Sequence, residues 1–296
     1  MTAERSVLVV GEALTDIIDR GGVVEEVPGG SPANVALGLG RLGTPTALLT
    51  ALGRDARGRA IADRLDTADV AVLEQSWSLE ETSTAAATLN PDGSAEYRFR
   101  ILWRLPDTVE VSAASHLHVG SIATFLAPGA DQVTAVVESR GAGTTVSYDP
   151  NIRRDLVGDP VAARSRFEQL CRSCDIVKLS DEDAEFLFPE LTPEGAAQLI
   201  GDVVPIVVVT RGAEGSLLRH GGVTTPVPVT MTTVADTVGA GDSYMAALLW
   251  ALLREPAWPA VEPDAVLRAA TIASRAASIT VSRVGAEPPT TAALLR

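Results

Sequence analysis

Three observations predict an α/β fold with a central, mostly parallel sheet flanked by helices. Short apolar runs rich in β-branched residues (SVLVV, TALLTAL, HLHV, TTVSY, DIVKL and PIVVVT) recur between stretches of helical character. That alternation is expected of βαβ units around a buried parallel sheet. Hydrophobic residues make up 46% of a 296-residue chain, enough for one large core and too many for a disordered chain. Two segments, 15–27 and 83–103, break the alternation and read as strands of a second, smaller sheet laid over the first.

In chain order, SVLVV opens the sheet and runs into GEALTD, which places Asp16 just beyond the strand. A carboxylate there accepts two hydroxyl bonds readily, or is simply a solvated turn acid. Residues 15–27 lack a helical period and hold the turn pair Gly21-Gly22. After Gly29-Gly30 come a helix over 32–42, the strand TALLTAL and a helix over 57–67. Residues 83–103 form two strands around Asn90-Pro91-Asp92-Gly93, a strong hairpin signal.

HLHV, a helix over 130–140 and TTVSY follow, with Asp149, Asn151 and Arg153 just past that strand. Open α/β sheets gather ligands at the carboxyl ends of strands. An acid, an amide and a guanidinium there suit a polyol or its phosphate; the plainer reading is an Asp-Pro-Asn turn with a surface arginine. A helix over 161–171, the strand DIVKL, a helix over 193–202 and the strand PIVVV lead to Thr210, Gly212 and Gly215. Helices over 243–253 and 264–282 complete the pattern.

The heptapeptide DTVGAGD, residues 236–242, sets a turn of small residues directly before a helix. A helix start offers unpaired N–H groups and the positive end of a dipole. Gly239, Ala240 and Gly241 let an anionic group approach that backbone closely. Asp242 is badly placed to bind phosphate but well placed to take a proton from a hydroxyl beside it. The competing reading is a glycine-rich helix start with an acidic cap. A second glycine turn running into a helix, PGGSPANVALGLGRLG at 28–43, carries Asn34 in its first turns.

This pair resembles the two signatures of the ribokinase-like (PfkB) carbohydrate kinases. The first fits from Gly29 through Asn34 and Gly43 to Gly53, and the second from Asp236 to Leu249. GEALTD, DPNIR, KLSDEDAEFL and VTRGAEG appear between them in family order, so the resemblance spans nearly the whole chain. It implies a ribokinase-like fold as one domain over 1–296, with a β-lid formed by about 13–28 and 82–103 that covers the sugar and makes a homodimer contact.

The resemblance also implies roles. Asp242 is the base, with Gly239, Ala240 and Gly241 as the anion cradle. Asp16, Gly30 and Asn34 hold sugar hydroxyls, with Arg100, Asp149, Asn151 and Arg153 completing the substrate site. Thr210, Gly212, Gly215, Gly241 and, near adenine, Ser274 belong to the ATP site. Backbone groups of Asp236, Val238 and Gly285 hold a monovalent cation such as K+. Many members show Asn-x-x-Glu where this chain has Ser180 to Asp183, so the shorter Asp183 carboxylate reaches Mg2+ through water. The motifs look most like fructokinases; the alternatives are a 2-keto-3-deoxygluconate kinase using Arg100 or Arg153, and a non-enzymatic sugar-binding regulator, against which the intact GAGD turn argues.

A net charge of −14 argues against nucleic acid and anionic membranes as partners. The N-terminus lacks a long apolar segment and no apolar run is long enough to span a membrane, so the expectation is a cytoplasmic protein. Gly38, Gly40 and Gly43 spell GxGxxG, but inside a helix rather than in a strand-to-helix turn; they read as permitting close helix packing, not dinucleotide binding. Cys171 and Cys174 lack a second ligand pair, so no zinc site is expected. His116 and His118 share one face of a strand and read as structural.

Overall fold

The computed structural model describes residues 5–89, 95–106 and 114–296. The strands are β1 (Val7–Val10), β2 (Leu14–Arg20), β3 (Val23–Gly29), β4 (Thr46–Leu49), β5 (Ala71–Val72), β6 (Thr84–Leu89), β7 (Ala95–Arg100), β8 (His116–Gly120), β9 (Thr145–Asp149), β10 (Ile176–Ser180), β11 (Ile206–Thr210), β12 (Ser216–His220) and β13 (Val223–Val227). The helices are α1 (Ser31–Arg41), α2 (Ala56–Asp66), α3 (Gly129–Glu138), α4 (Arg154–Val157), α5 (Pro160–Cys171), α6 (Asp181–Leu187), α7 (Pro193–Ile200), α8 (Ala240–Leu253), α9 (Pro263–Val281) and α10 (Thr291–Leu294).

Among the described residues a nine-stranded sheet runs β13-β12-β11-β10-β9-β8-β1-β4-β5. From β11 through β5 neighbouring strands are parallel, while β12 and β13 add an antiparallel ribbon at one edge. β1, β8 and β9 are buried along their whole length, as parallel strands covered by helices on both faces must be. One core lies between the sheet and α1, α8 and α9, and the other between its opposite face and α3, α5, α6 and α7.

The segments that break the alternation form a second sheet of order β3-β2-β6-β7. β2 pairs with β3 and β6 with β7 in antiparallel fashion, and β2 with β6 in parallel. Gly21 and Gly22 both take positive φ, 64° and 93°, as a tight hairpin turn requires. The expected turn at Asn90-Pro91-Asp92-Gly93 lies outside the described residues.

Gly38 and Gly40 are packing glycines. A Cβ at Gly38 would stand 2.7 Å from the Ala246 Cβ on α8, and one at Gly40 would stand 2.3 Å from the Ala68 carbonyl oxygen. The two histidines of β8 are buried, with His116 bonded to Thr145 and Ser147 and His118 to Ser147, at 2.7–2.9 Å. Burial pushes both imidazoles down to about 3, so they are neutral structural residues at physiological pH. Cys171 and Cys174 are buried free thiols whose pKa burial pushes up. No helix among the described residues is long and apolar enough to cross a membrane.

Candidate active site

The parallel strands end together. Val10, Gly120, Asp149, Ser180 and Thr210 stand at the carboxyl ends of β1, β8, β9, β10 and β11, the edge where open α/β sheets bind ligands. α8 starts beside that edge. Its N-cap Gly239 is left-handed (φ 74°), and a side chain there would strike Ala286 at 2.6 Å. Glycine is therefore required both for the turn and for the close packing.

Asp242, in the first turn of α8, is buried with both carboxylate oxygens engaged. The Ser31 hydroxyl donates to Oδ1 at 2.7 Å and the Asn34 amide donates to Oδ2 at 2.9 Å. Both donors lie at the start of α1, so two helix N-termini meet at one carboxylate. A Cβ at Gly241 would come within 2.9 Å of the Lys178 Nζ, which puts an ammonium group beside the first turn of α8. Lys178 is buried and bonded to Asp149 at 2.7 Å. Burial pushes the Lys178 ammonium down, but Asp149 and Asp242 more than offset this and hold it above its usual pKa. Burial raises the Asp149 carboxyl to about 6 against the pull of Lys178.

Asp16 lies on β2 close against Gly29, where a Cβ would meet its Oδ2 at 2.1 Å. Burial raises its carboxyl to about 6, opposed by the charge of Arg153. Arg153 bonds the Asn151 side-chain oxygen at 2.8 Å and acts on both Asp16 and Glu12. Gly30, at φ 100°, backs onto the Glu12 carbonyl, 2.6 Å from where a Cβ would stand. Asp16, Gly30, Asn34, Asp149, Asn151, Arg153 and Asp242 are thus linked by contact or charge around one site.

Of the residues expected around a nucleotide, Thr210 sits opposite Ser180 in the β10–β11 register, and Gly212 and Gly215 turn with positive φ just beyond it. The Asp236 carboxylate accepts N–H bonds from Val238 (3.0 Å) and Gly285 (2.9 Å), so the three residues expected around a cation are drawn together. Asp183 accepts N–H bonds from Ile152 (2.8 Å) and Ser180 (3.0 Å), closing a capping box on α6. Ser274 is buried and donates to the Pro228 carbonyl at 3.0 Å. Arg100 stands apart from the gathered set, exposed and paired with Glu81 at 2.8 Å.

Sequence reasoning did not single out Ser31, Lys178 or Glu12. The first two touch the GAGD turn across more than sixty residues of sequence, which no local pattern encodes. A lysine inside an apolar strand is itself a signal, because buried lysines are rare unless paired. Glu12 is 4% exposed and accepts the Ala123 N–H at 3.0 Å. Burial raises it to about 7.

A family model described as pfkB family carbohydrate kinase matches residues 4–293. The chain belongs to the pfkB family of carbohydrate kinases. It is a phosphotransferase that acts on a sugar. The kinase is 33% identical to a fructokinase of Klebsiella pneumoniae over 253 residues, covering 81% of this chain and 82% of the relative. A fructokinase of Rhizobium leguminosarum bv. trifolii is 32% identical over 261 residues, covering 83% and 79%. Among solved structures, a fructokinase double mutant of Vibrio cholerae with fructose, ADP and potassium ion bound superposes with a TM-score of 0.85. It is 27% identical and covers 99% of this chain and 97% of that one. The ribokinase-like α/β fold with a second small sheet is common to both.

Proposed function

We propose that this kinase transfers the γ-phosphoryl group of ATP to a primary hydroxyl of fructose, with Asp242 as the general base. The observation that carries the reading is a buried carboxylate at a glycine-rich helix start, oriented by Ser31 and Asn34 at 2.7 and 2.9 Å. Fructose is supported by the relatives named fructokinase and by the fructose and ADP held in the Vibrio cholerae structure.

Asp242 accepts the hydroxyl proton as the sugar oxygen bonds to the γ-phosphorus, and the bond to the β–γ bridging oxygen breaks to release ADP. The N–H groups of Gly241 and Asp242 face the negative charge on the transferred group; the Ala240 N–H donates to the Thr237 carbonyl at 3.3 Å and would have to exchange that bond to join them. Lys178, beside Gly241, adds a buried positive charge there. Asp16, Gly30, Asn34, Asp149, Asn151 and Arg153 form the sugar side, and Thr210, Gly212, Gly215 and Ser274 the nucleotide side. The small sheet serves as the lid.

Magnesium on the nucleotide neutralises phosphate charge when bound. No group of three ligating side chains is assembled among the described residues, and both Asp183 oxygens already accept N–H bonds. Asp183 would reach such an ion through water, since magnesium gives up its water shell reluctantly. A monovalent cation at Asp236, Val238 and Gly285 is supported by the clamp that joins them and by the potassium ion in the Vibrio cholerae structure. A homodimer through the lid is supported by Val23 and Val24, 71% and 58% exposed on the edge strand β3, because an unpaired edge invites another chain. The buried free cysteines fit a reducing cytoplasm.

One observation favours 2-keto-3-deoxygluconate as a second substrate: among the described residues Arg153 bonds an amide oxygen and the Ile152 carbonyl, with its charge felt by Asp16 and Glu12 but no ion pair formed. A turnover screen with ATP across fructose, 2-keto-3-deoxygluconate, ribose and nucleosides tests the reading. The highest kcat/KM is expected with fructose; a clear preference for the acid sugar overturns fructose and leaves the kinase chemistry intact.

A further inference from the structure

The lid base and the phosphate-binding helix start are tied together by one side chain that takes no part in the reaction. Arg64 lies on α2 and is partly buried. Its Nη1 donates to the Pro28 carbonyl at 2.7 Å, and its Nη2 donates to the Ala286 carbonyl at 2.6 Å. Pro28 leads into Gly29, which lies against the Asp16 carboxylate. Ala286 packs on Gly239, the N-cap of α8. One guanidinium thus contacts the backbone on both sides of the site.

The attachment is reinforced at residue 287. Glu287 is paired with Arg64 at 3.3 Å and with Arg41 at 2.6 Å, and Arg41 also donates to the Pro288 carbonyl at 2.9 Å. Arg41 ends α1, whose first turns hold Asp242. The segment beside the anion cradle is therefore fastened to α1 and α2 together. Burial pushes the Arg64 guanidinium down from its usual pKa, with Glu287 opposing. The crevice beside it, lined by Pro28, Asn34, Ile61 and Leu65, has a volume of about 10 Å3. That space is too small for a sugar or a nucleotide.

A guanidinium is planar and its donors keep a fixed spacing. Two carbonyls bridged by it cannot move independently without losing a charge-assisted bond. We propose that Arg64 is a positioning residue that couples occupancy of the sugar side to the geometry of the α8 start, so that sugar and nucleotide each tighten the other's binding. This rests on the reading of sugar beside Asp16 and phosphate at the α8 start.

The test is a calorimetric coupling ratio: the dissociation constant of the best-turned-over sugar without and with a non-hydrolysable ATP analogue. In the parent kinase the ratio is expected to be about 5 or more, the lower end of ordinary site–site coupling. Arg64→Met should bring it near one and lower kcat at saturating substrates by about tenfold, since small misplacements in the reacting geometry are costly. Arg64→Lys, a single point donor, should retain an intermediate ratio. A merely structural role predicts lower thermal stability in Arg64→Met with the ratio unchanged. That result overturns the proposal, as does a ratio of one in a parent enzyme that turns sugar over. Should Arg64→Met fail to fold, Arg64→Lys decides: a parent ratio overturns the proposal and a reduced one supports it. A parent chain that turns over no sugar overturns the substrate reading and this inference together.

Discussion

The two carboxylates proposed to face the sugar, Asp242 and Asp16, sit in opposite surroundings. Asp242 stands on a helix of the main layer with both oxygens bonded, at 2.7 and 2.9 Å, by residues more than two hundred positions away. Asp16 stands on the small sheet, partly exposed, its carboxyl raised to about 6 by burial and tempered only by the charge of Arg153. One group is fixed before any ligand arrives, as preorganised chemistry requires. The other accepts no side-chain hydrogen bond among the described residues and lies against Gly29, which suits the proposed role of fitting around hydroxyls. Under the proposed function, transfer chemistry belongs to the main layer and sugar choice to the small sheet.

The largest expected effect breaks the rigid side. Asp242→Asn should cut kcat by about 10²–10⁴-fold, the usual weight of a general base, with sugar and ATP affinity nearly intact. Steady-state rates at saturating substrates check this, and a parent-like kcat would remove Asp242 from the mechanism. On the adjustable side, Asp16→Ala should lower kcat/KM for fructose by about 10²-fold or more, because two charge-assisted hydroxyl bonds of about 1.5–3 kcal/mol each are lost. The KM for ATP should stay close to the parent value; equal damage to both substrates would contradict the division.

A pH profile sharpens the same contrast. The Asp16 carboxylate accepts hydroxyl bonds only when ionised, and its carboxyl titrates at about 6. Sugar affinity should therefore be full above pH 6 and fall as pH drops below it, by up to about tenfold per unit. In Asp16→Asn this limb should vanish from the kcat/KM profile for fructose; a limb of unchanged position would assign it elsewhere, Asp149 and Glu12 being the neighbours that also titrate near there. The smallest effect concerns the loop clamped by Asp236. Replacing potassium with a bulky organic cation at matched ionic strength should slow turnover by about 2–5-fold, the scale of a charge effect at a helix end. Equal rates in the two salts would leave that loop without a bound cation.

What could be read from the chain followed the same division. Most of the parallel strands were legible as short runs rich in apolar and β-branched residues, and both glycine turns because they precede helical stretches; the two-residue β5 was too short to single out. β12 and β13 were not singled out as strands, since Ser216–His220 and Val223–Val227 mix polar and apolar residues and offer no continuous apolar run in sequence. Gly221-Gly222, both at positive φ, was the available hairpin signal between them. The short helix α6 read only as a motif, because its seven residues cover barely two turns. Within the site, Asp242 and Asn34 were visible from local motif chemistry, whereas Ser31 as a partner of Asp242 was not. Ser180 and Asp183, read as a weakened metal motif, also form a capping box, and Ser274 spends its hydroxyl on the Pro228 carbonyl.

The glycine contact between α1 and α8 has a consequence for tolerance to change. Both helices carry residues of the candidate site in their first turns, and their separation is gauged by Gly38 against Ala246, where an added methyl would sit 2.7 Å away. Helices move as stiff rods in a close-packed interior. A wedge at residue 38 therefore acts as a lever on the distance between Asn34 and Asp242, two turns or less away on each helix. In a mutational survey, position 38 should drop out of a selection for catalysis at substitutions still accepted in a selection for soluble expression.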